Sequence, residues 1–476
     1  KFYELFFLLY LLLYNDKLTL VYQKYNIRGI FMNIGKNDIV DLEITGYTAD
    51  GSGVGRYNGI AVFVPLAAAG DKLKIKILKT AKTYAFGKIE KIVSSSKDRI
   101  PLDCPQFSKC GGCVYRHINY KAELTAKQQK VQDAIERIAG FHFAVLCPIV
   151  GAENPDHYRN KAQIPIGQGA DGKIQMGFYA SHSHRIINSN ECYLQPHEFT
   201  AAMNAFKHWA EKTGEDVYNE KTGKGRLRHL YLRRAGATGE VMVCVVVNGN
   251  GVHNEPELVE TLRKSVPNLK SVIINVNREK TNVILGKKCR TVWGSDYITD
   301  TLCGLNFRIS PKSFYQVNRK QAQRLYSIAG EYAGLTGEET LLDLYCGTGT
   351  IGLSMAKKAK KIIGVEIVEQ AVEDARKNAA ENGIENAEFI CADAAKAALM
   401  LRNRRVIPDV VVLDPPRKGC DASLIETIYK MAPKRVVYVS CDPATLARDL
   451  KVFAKLGYKT ECITPVDMFP RTSHVE

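Results

Sequence analysis

A chain of 476 residues is too long for one hydrophobic core and implies two or three domains. Its 45% apolar and 24% charged residues are those of a soluble globular protein and exclude a disordered or membrane-embedded chain. An excess of 66 Lys and Arg over 50 Asp and Glu, a net charge of +16, points to a polyanionic partner, RNA or DNA ahead of anionic lipid. Thirteen cysteines, an odd number in a long chain, argue against a secreted disulfide scaffold and for a reducing cytoplasm.

Residues 1–31 stand apart. Phe6 to Tyr14 is strongly apolar but short for a bilayer, and it lacks a basic start and a small-residue cleavage site. The segment reads as a non-native or upstream extension before Met32, with a membrane anchor as the alternative. Residues 32–93 form a first domain of short β-rich runs separated by glycine turns, five strands that suggest a small barrel of the OB type. Leu73, Ile75 and Ile77 alternate with Lys72, Lys74 and Lys76, and seven lysines against two acids between Asp71 and Lys91 suit a phosphate backbone.

A central mixed α+β domain is expected over 94–304. Cys104, Cys110 and Cys113, with Gly111-Gly112 between the last two, read as ligands of a metal or cluster that needs a fourth thiolate. Cys192 is the distal candidate and Cys147 the nearer competitor, and spacing does not separate zinc from iron–sulfur. A helix is expected over Lys121–Ala139. Arg226, Arg228, His229, Arg233 and Arg234 beside Tyr231 form a second basic cluster, suited either to RNA phosphates or to protecting a sheet edge.

From 305 to 476 strands are expected at 341–344, 361–366, 387–391, 409–413, 435–440 and 457–463, with helices between, a doubly wound parallel sheet. Such sheets bind ligands outside the carboxyl ends of their strands. Tyr345 with the Gly347-Thr-Gly349 turn, Glu366, Asp393, Asp414-Pro-Pro-Arg417 and Ser440-Cys441-Asp-Pro443 all fall on that rim. The glycine turn lets backbone N–H groups approach a cofactor, and its spacing alone admits NAD or S-adenosylmethionine. Glu366 suits a ribose, and Asp393 suits either an adenine edge or a helix cap.

Asp414-Pro-Pro-Arg417 points to the sulfonium cofactor, because two prolines after a buried strand make a rigid lip for a planar base. Arg417, where amino-group methylases often carry an aromatic, argues against N-methylation of adenine. Cys441 suits C-methylation. Uracil C5 is a poor nucleophile until a thiolate adds at C6, and the helix opening at Pro443 offers N–H donors to that thiolate.

These stretches, with SFYQVN, DLYCGTG, DPPRKG, VSCDPATLARD and FPRTSHVE, resemble the RNA uracil-C5 methyltransferases. The closest resemblance is to the branch acting on 23S ribosomal RNA, with a TRAM barrel and a [4Fe-4S] cluster. It covers nearly everything from Met32 to Glu476. It implies that Gln316, Tyr345, Glu366 and Asp414 contact S-adenosylmethionine or its surroundings. It also implies that Cys441 is the nucleophile, Glu476 the proton-abstracting base, and Cys104, Cys110, Cys113 and Cys192 the cluster ligands. The tRNA branch shares the catalytic half but is expected to lack the cysteine motif and barrel, which favours 23S ribosomal RNA. The expected protein is a cytoplasmic monomeric enzyme making 5-methyluridine, with no protein partner. The alternatives are a tRNA uracil-C5 methyltransferase, a non-catalytic RNA-binding assembly factor, or an NAD-linked oxidoreductase. Family members continue past the final glutamate into another strand, so the sequence reads as truncated there and its activity as impaired.

Overall fold

The computed structural model describes residues 34–141 and 145–476, so the expectation for 1–31 lies outside the described residues. They divide into two compact units, one ending at Pro101 and including His117–Asn119, the other comprising Leu102–Arg116 and Tyr120–Glu476.

In the first unit β1 (Ile39–Tyr47), β2 (Gly53–Tyr57), β3 (Ile60–Val64), β4 (Lys72–Thr80) and β5 (Tyr84–Ser94) close into a barrel, order β1-β2-β3-β5-β4. The alternation seen in the sequence decides its inside: Val40, Leu42, Ile44, Leu73, Ile75 and Ile77 are buried while the intervening residues face out. Gly55 is required, because a Cβ there would overlap the Glu43 carbonyl oxygen. On the outer surface the rings of Phe63, Tyr84 and Phe86 touch at 5.5–5.7 Å, and Lys79 lies opposite Phe86 in the β4–β5 register.

The second unit begins with helix Tyr120–Ala134, prolonged by a π-type turn, Ile135–Ala139, that ends at left-handed Gly140. After β6 (Val145–Leu146) comes a seven-stranded sheet of β7 (Lys161–Gln168), β8 (Ile174–Tyr179), β9 (Ile186–Asn188), β10 (Leu227–Arg234), β11 (Val241–Val247), β12 (Leu269–Val276) and β13 (Lys288–Gly294). The order is β13-β12-β11-β10-β7-β8-β9. Helices His197–Lys212 and Glu255–Ser265 cover one face through Phe206, Trp209 and Leu258. The other face, through Tyr231, Met242 and Val246, shares a core with the C-terminal sheet.

β10 is therefore an interior strand, and the second basic cluster is not an RNA-facing edge. Arg228 is buried with Nη1 donating to the carbonyls of Asn277 and Glu279 at 2.7 and 2.9 Å. Buried Arg233 bonds to the Tyr231 hydroxyl at 2.9 Å and to the Ser313 carbonyl. Arg234 pairs with Glu198 at 2.8 Å, and Arg226 lies near Glu215. Burial, with the positive charge of Arg228 adding to it, pushes His229 down to about 4. These cations are engaged by internal acceptors because a buried guanidinium must find hydrogen-bond partners.

After the hairpin β14 (Ile298–Leu302) and β15 (Leu305–Ile309) come five parallel strands: β16 (Thr340–Leu344), β17 (Lys361–Glu366), β18 (Ala387–Cys391), β19 (Val410–Leu413) and β20 (Arg435–Tyr438). Their order, β18-β17-β16-β19-β20, reverses direction between β16 and β19, the switch point of a doubly wound fold. Apolar residues alternate between two cores. Leu341, Ile362, Val410 and Val412 face one, and Leu342, Ile363, Val411 and Leu413 face the other. The sixth strand expected at 457–463 does not join this sheet. Only Cys462–Ile463 (β21) is extended, paired parallel with β6, and N–H groups of Cys147 and Val150 take the carbonyls of Ile463 and Pro465.

Candidate active site

The site grows from the switch point. β16 is followed by Tyr345, a non-glycine residue at φ +67°, and Gly347 (φ +56°) and Gly349 (φ +81°) complete the turn into helix Thr350–Ser354. A Cβ on Gly347 would meet nothing within 4 Å, so the turn borders open space. At Gly352 a Cβ would stand 2.7 Å from Asp343 Oδ2, which accepts the Gly352 N–H at 2.9 Å. Burial pushes the Asp343 carboxyl up to about 7, and its Oδ1 has no hydrogen-bond partner. This acid was missed from the sequence, although a lone polar residue inside LLDLY was its signal.

Glu366, at the end of β17, accepts N–H groups from Gly347, Ile367 and Val368 at 3.1, 2.8 and 2.9 Å. It thereby ties the second strand end to the glycine turn. Asp393 is a helix N-cap, its Oδ1 accepting from Ala395 and Lys396 at 3.1 and 3.2 Å. Burial pushes the Tyr345 phenol well up, and Cys420, Asp421 and Asp393 lie near enough to add to that shift. Gln316 sits between buried Tyr315 and Val317, its carbonyl accepting from Asn160 at 2.8 Å. Asn318, just beyond it, bonds to the Met468 carbonyl at 3.2 Å.

Beyond β19 the Asp414 carboxyl is pushed up to about 7 by burial. Beyond β20, Cys441 is half-buried, and burial raises its thiol, reinforced by the negative charges of Glu476 and Asp414 and opposed by Arg417. Burial, then Asp414, pushes Glu476 up to about 8, and Arg417 again opposes. Cys441, Glu476, Asp414 and Arg417 are thus one electrostatic cluster. The N–H donors expected to stabilise the Cys441 thiolate are taken instead by Asp442, which accepts from Ala444 and Thr445 at 2.9 and 3.1 Å. Arg417 is the cation that favours ionisation of both Cys441 and Glu476, a part the sequence did not reveal.

The four cysteines Cys104, Cys110, Cys113 and Cys192 line one cavity of about 230 Å³, with Lys161 at its wall. Cys147 lies elsewhere, its Sγ 2.7 Å from that of Cys462. The Gly112 N–H points at the Cys110 sulfur at 3.4 Å, and burial raises Cys110, Cys113 and Cys192. Among the described residues no group of three or more His, Cys, Asp or Glu could hold a metal ion. The thiols surround a space without converging on a point.

A glycine turn at the switch point, a carboxylate at the end of the neighbouring strand and a proline pair after β19 on this strand order fit the S-adenosylmethionine-dependent methyltransferase fold. The family model for tRNA (uracil-5-)-methyltransferase matches residues 119–476, and that for the TRAM domain matches 36–89. The chain belongs to the tRNA (uracil-5-)-methyltransferase family. An uncharacterized RNA methyltransferase of Halalkalibacterium halodurans is 45% identical over 443 residues, covering 93% of this chain and 96% of that protein. One of Clostridium tetani gives the same identity and coverage. The structure of Pyrococcus abyssi tRNA (uracil-54, C5)-methyltransferase with S-adenosyl-L-homocysteine has a TM-score of 0.74 and 30% identity, covering 91% of this chain and 97% of that one. Coverage that wide takes in the barrel as well as the catalytic half, so a barrel does not by itself separate ribosomal from transfer RNA as substrate. Among the described residues no helix is long and apolar enough to cross a membrane.

Proposed function

We propose that the protein methylates C5 of a uridine in 23S ribosomal RNA in the cytoplasm. The observation that carries the chemistry is electrostatic: the charge of Glu476 raises the Cys441 thiol, Asp414 raises both groups and Arg417 lowers both, so the four lie within range of one another's charges. S-adenosylmethionine supplies an electrophilic methyl group when bound. The open space at Gly347, the carboxylate of Glu366 and the buried Asp414 suit it, with Tyr345, Gly349, Asp393 and Gln316 around them. Cys441 Sγ would bond to C6 of a uracil taken out of its stack, and the electron pair displaced to C5 would take the methyl group, the sulfonium's S–CH3 bond breaking to leave S-adenosylhomocysteine. Glu476 then takes the C5 proton, the C5=C6 bond re-forms, and the S–C6 bond breaks to release the thiolate. Ionised Glu476 and Cys441 are both needed, and Arg417 favours both.

The exposed rings of Tyr84 and Phe86 among lysines suit RNA bases and phosphates, supporting a binding role for the 32–93 domain. The four cysteines around one cavity, with a backbone N–H aimed at sulfur, suit a [4Fe-4S] cluster better than a single zinc ion. The cysteine motif, which the tRNA branch is expected to lack, supports the ribosomal substrate. The likeness to the Pyrococcus abyssi enzyme favours a second reading, a uridine of tRNA. Mapping 5-methyluridine in both RNAs from cells lacking the gene tests this. Loss from 23S RNA alone supports the first reading, loss from tRNA alone the second, and loss from neither refutes both.

A further inference from the structure

The residue assigned above as base sits on a segment, Val466–Glu476, with almost no regular structure of its own. Its backbone is fixed by Val466, which exchanges N–H···O bonds with Glu476 at 2.8 and 3.0 Å. The next residue, Asp467, is completely buried and faces Lys127, also completely buried. Lys127 Nζ donates to Asp467 Oδ1 at 2.6 Å, to Glu123 Oε1 at 2.8 Å and to the Phe469 carbonyl at 3.1 Å, which uses all three of its protons. Glu123 in turn accepts the Arg471 N–H at 2.7 Å, and its other oxygen lies 3.6 Å from the Arg471 guanidinium. The Tyr120 hydroxyl donates to Asp467 Oδ2 at 2.7 Å and accepts the Ala152 N–H at 2.7 Å.

Helix Tyr120–Ala134 thus grips positions 467, 469 and 471 through a buried cation and its carboxylates. Apolar side chains would fill this space as stably or better, because burying ions is costly. Directional bonds add what apolar packing lacks: they set the path of an irregular strand. We propose that Lys127, held by Glu123, is a positioning residue that sets the Glu476 carboxyl against the Cys441-bound base, acting through Asp467 and the Val466–Glu476 pair. This rests on Glu476 as the base, and it predicts a defect confined to the step after methyl transfer.

The test uses the full chain, methyl-labelled S-adenosylmethionine and total RNA from cells lacking the gene. Lys127→Met, Tyr120→Phe and Glu476→Gln are compared for turnover and for a denaturation-resistant protein–RNA adduct. The expected result is a labelled adduct that accumulates in Lys127→Met as in Glu476→Gln, with turnover lower by about tenfold or more and adduct formation close to wild type. Tyr120→Phe, which removes one hydroxyl and keeps the cation, should do the same more weakly and decides the matter if Lys127→Met does not fold. Turnover and adduct formation falling together, or neither changing, overturns the proposal. An adduct in Glu476→Gln but in neither other variant overturns the positioning role alone. No adduct even in Glu476→Gln overturns the base assignment, and the proposal with it.

Discussion

Substituting Arg417 with methionine should move the pH dependence of adduct resolution to higher pH. With Glu476 at about 8, roughly a tenth of the molecules hold it ionised at pH 7 and roughly a hundredth at pH 6. The single-turnover rate of adduct resolution should therefore rise about tenfold from pH 6 to 7 and level off above pH 8. Arg417 lowers both Glu476 and Cys441, so its removal disfavours the charged form of each, and the midpoint should move upward from about pH 8, a modest step because the guanidinium is exposed. Arg417→Lys, which keeps the charge, should restore most of the profile. The assay is rapid-quench release of methylated RNA from the pre-formed adduct across pH 6–9.5 with saturating cofactor and RNA. A flat profile between pH 6 and 8, or a midpoint unchanged in Arg417→Met, would refute the electrostatic account. The same acid affects stability. The folded protein holds the Glu476 proton more tightly than the unfolded chain, so this group favours folding below about pH 4.5, and that contribution is lost as pH rises through about 8. Glu476→Gln should therefore lose part of the fall in melting temperature between pH 6 and 8.

Cys441→Ala should abolish both methyl transfer and the RNA adduct while leaving S-adenosylmethionine binding intact by calorimetry; retained transfer would sink the nucleophile. Lys79, Lys82 and Lys88 changed together to serine should reduce the salt dependence of RNA binding by about two to three in slope. Arg228→Met should leave that slope alone and lower stability by about 1–3 kcal/mol, because the buried Asn277 carbonyl and the partly buried Glu279 carbonyl lose their donor. Gly352→Ala should destabilise the glycine turn and weaken cofactor binding, since its methyl group would press on the Asp343 carboxylate. Anaerobically purified protein should be coloured, with a broad visible absorption band, and Cys113→Ser should remove that band; a colourless protein carrying zinc would overturn the cluster.

The parts of this protein legible from sequence are those governed by short-range constraints. The barrel strands follow from residues alternating every second position, as in Leu73, Ile75 and Ile77. The rim follows from glycines and prolines placed just after apolar runs, because Gly347 permits a left-handed turn and Pro415-Pro416 fix an extended path whatever surrounds them. Where two local rules competed, the sequence left both open. Asp393 could meet a ligand or cap a helix, and the structure shows the cap.

What only the tertiary structure decided is the partner of each charged or reactive side chain. Arg228 and Arg233 read as a surface patch until a sheet folds around them, and Asp442 consumes the N–H groups that Cys441 was expected to use. Cys192 lines the cavity with Cys104, Cys110 and Cys113, whereas Cys147 meets Cys462, because distance along the chain says little about which loops a sheet brings together. Lys127 is the extreme case. In sequence it belongs to a polar helix, but its carboxylate partner Asp467 lies 340 positions away, and no periodicity within the helix encodes a bond that only the folded chain can close.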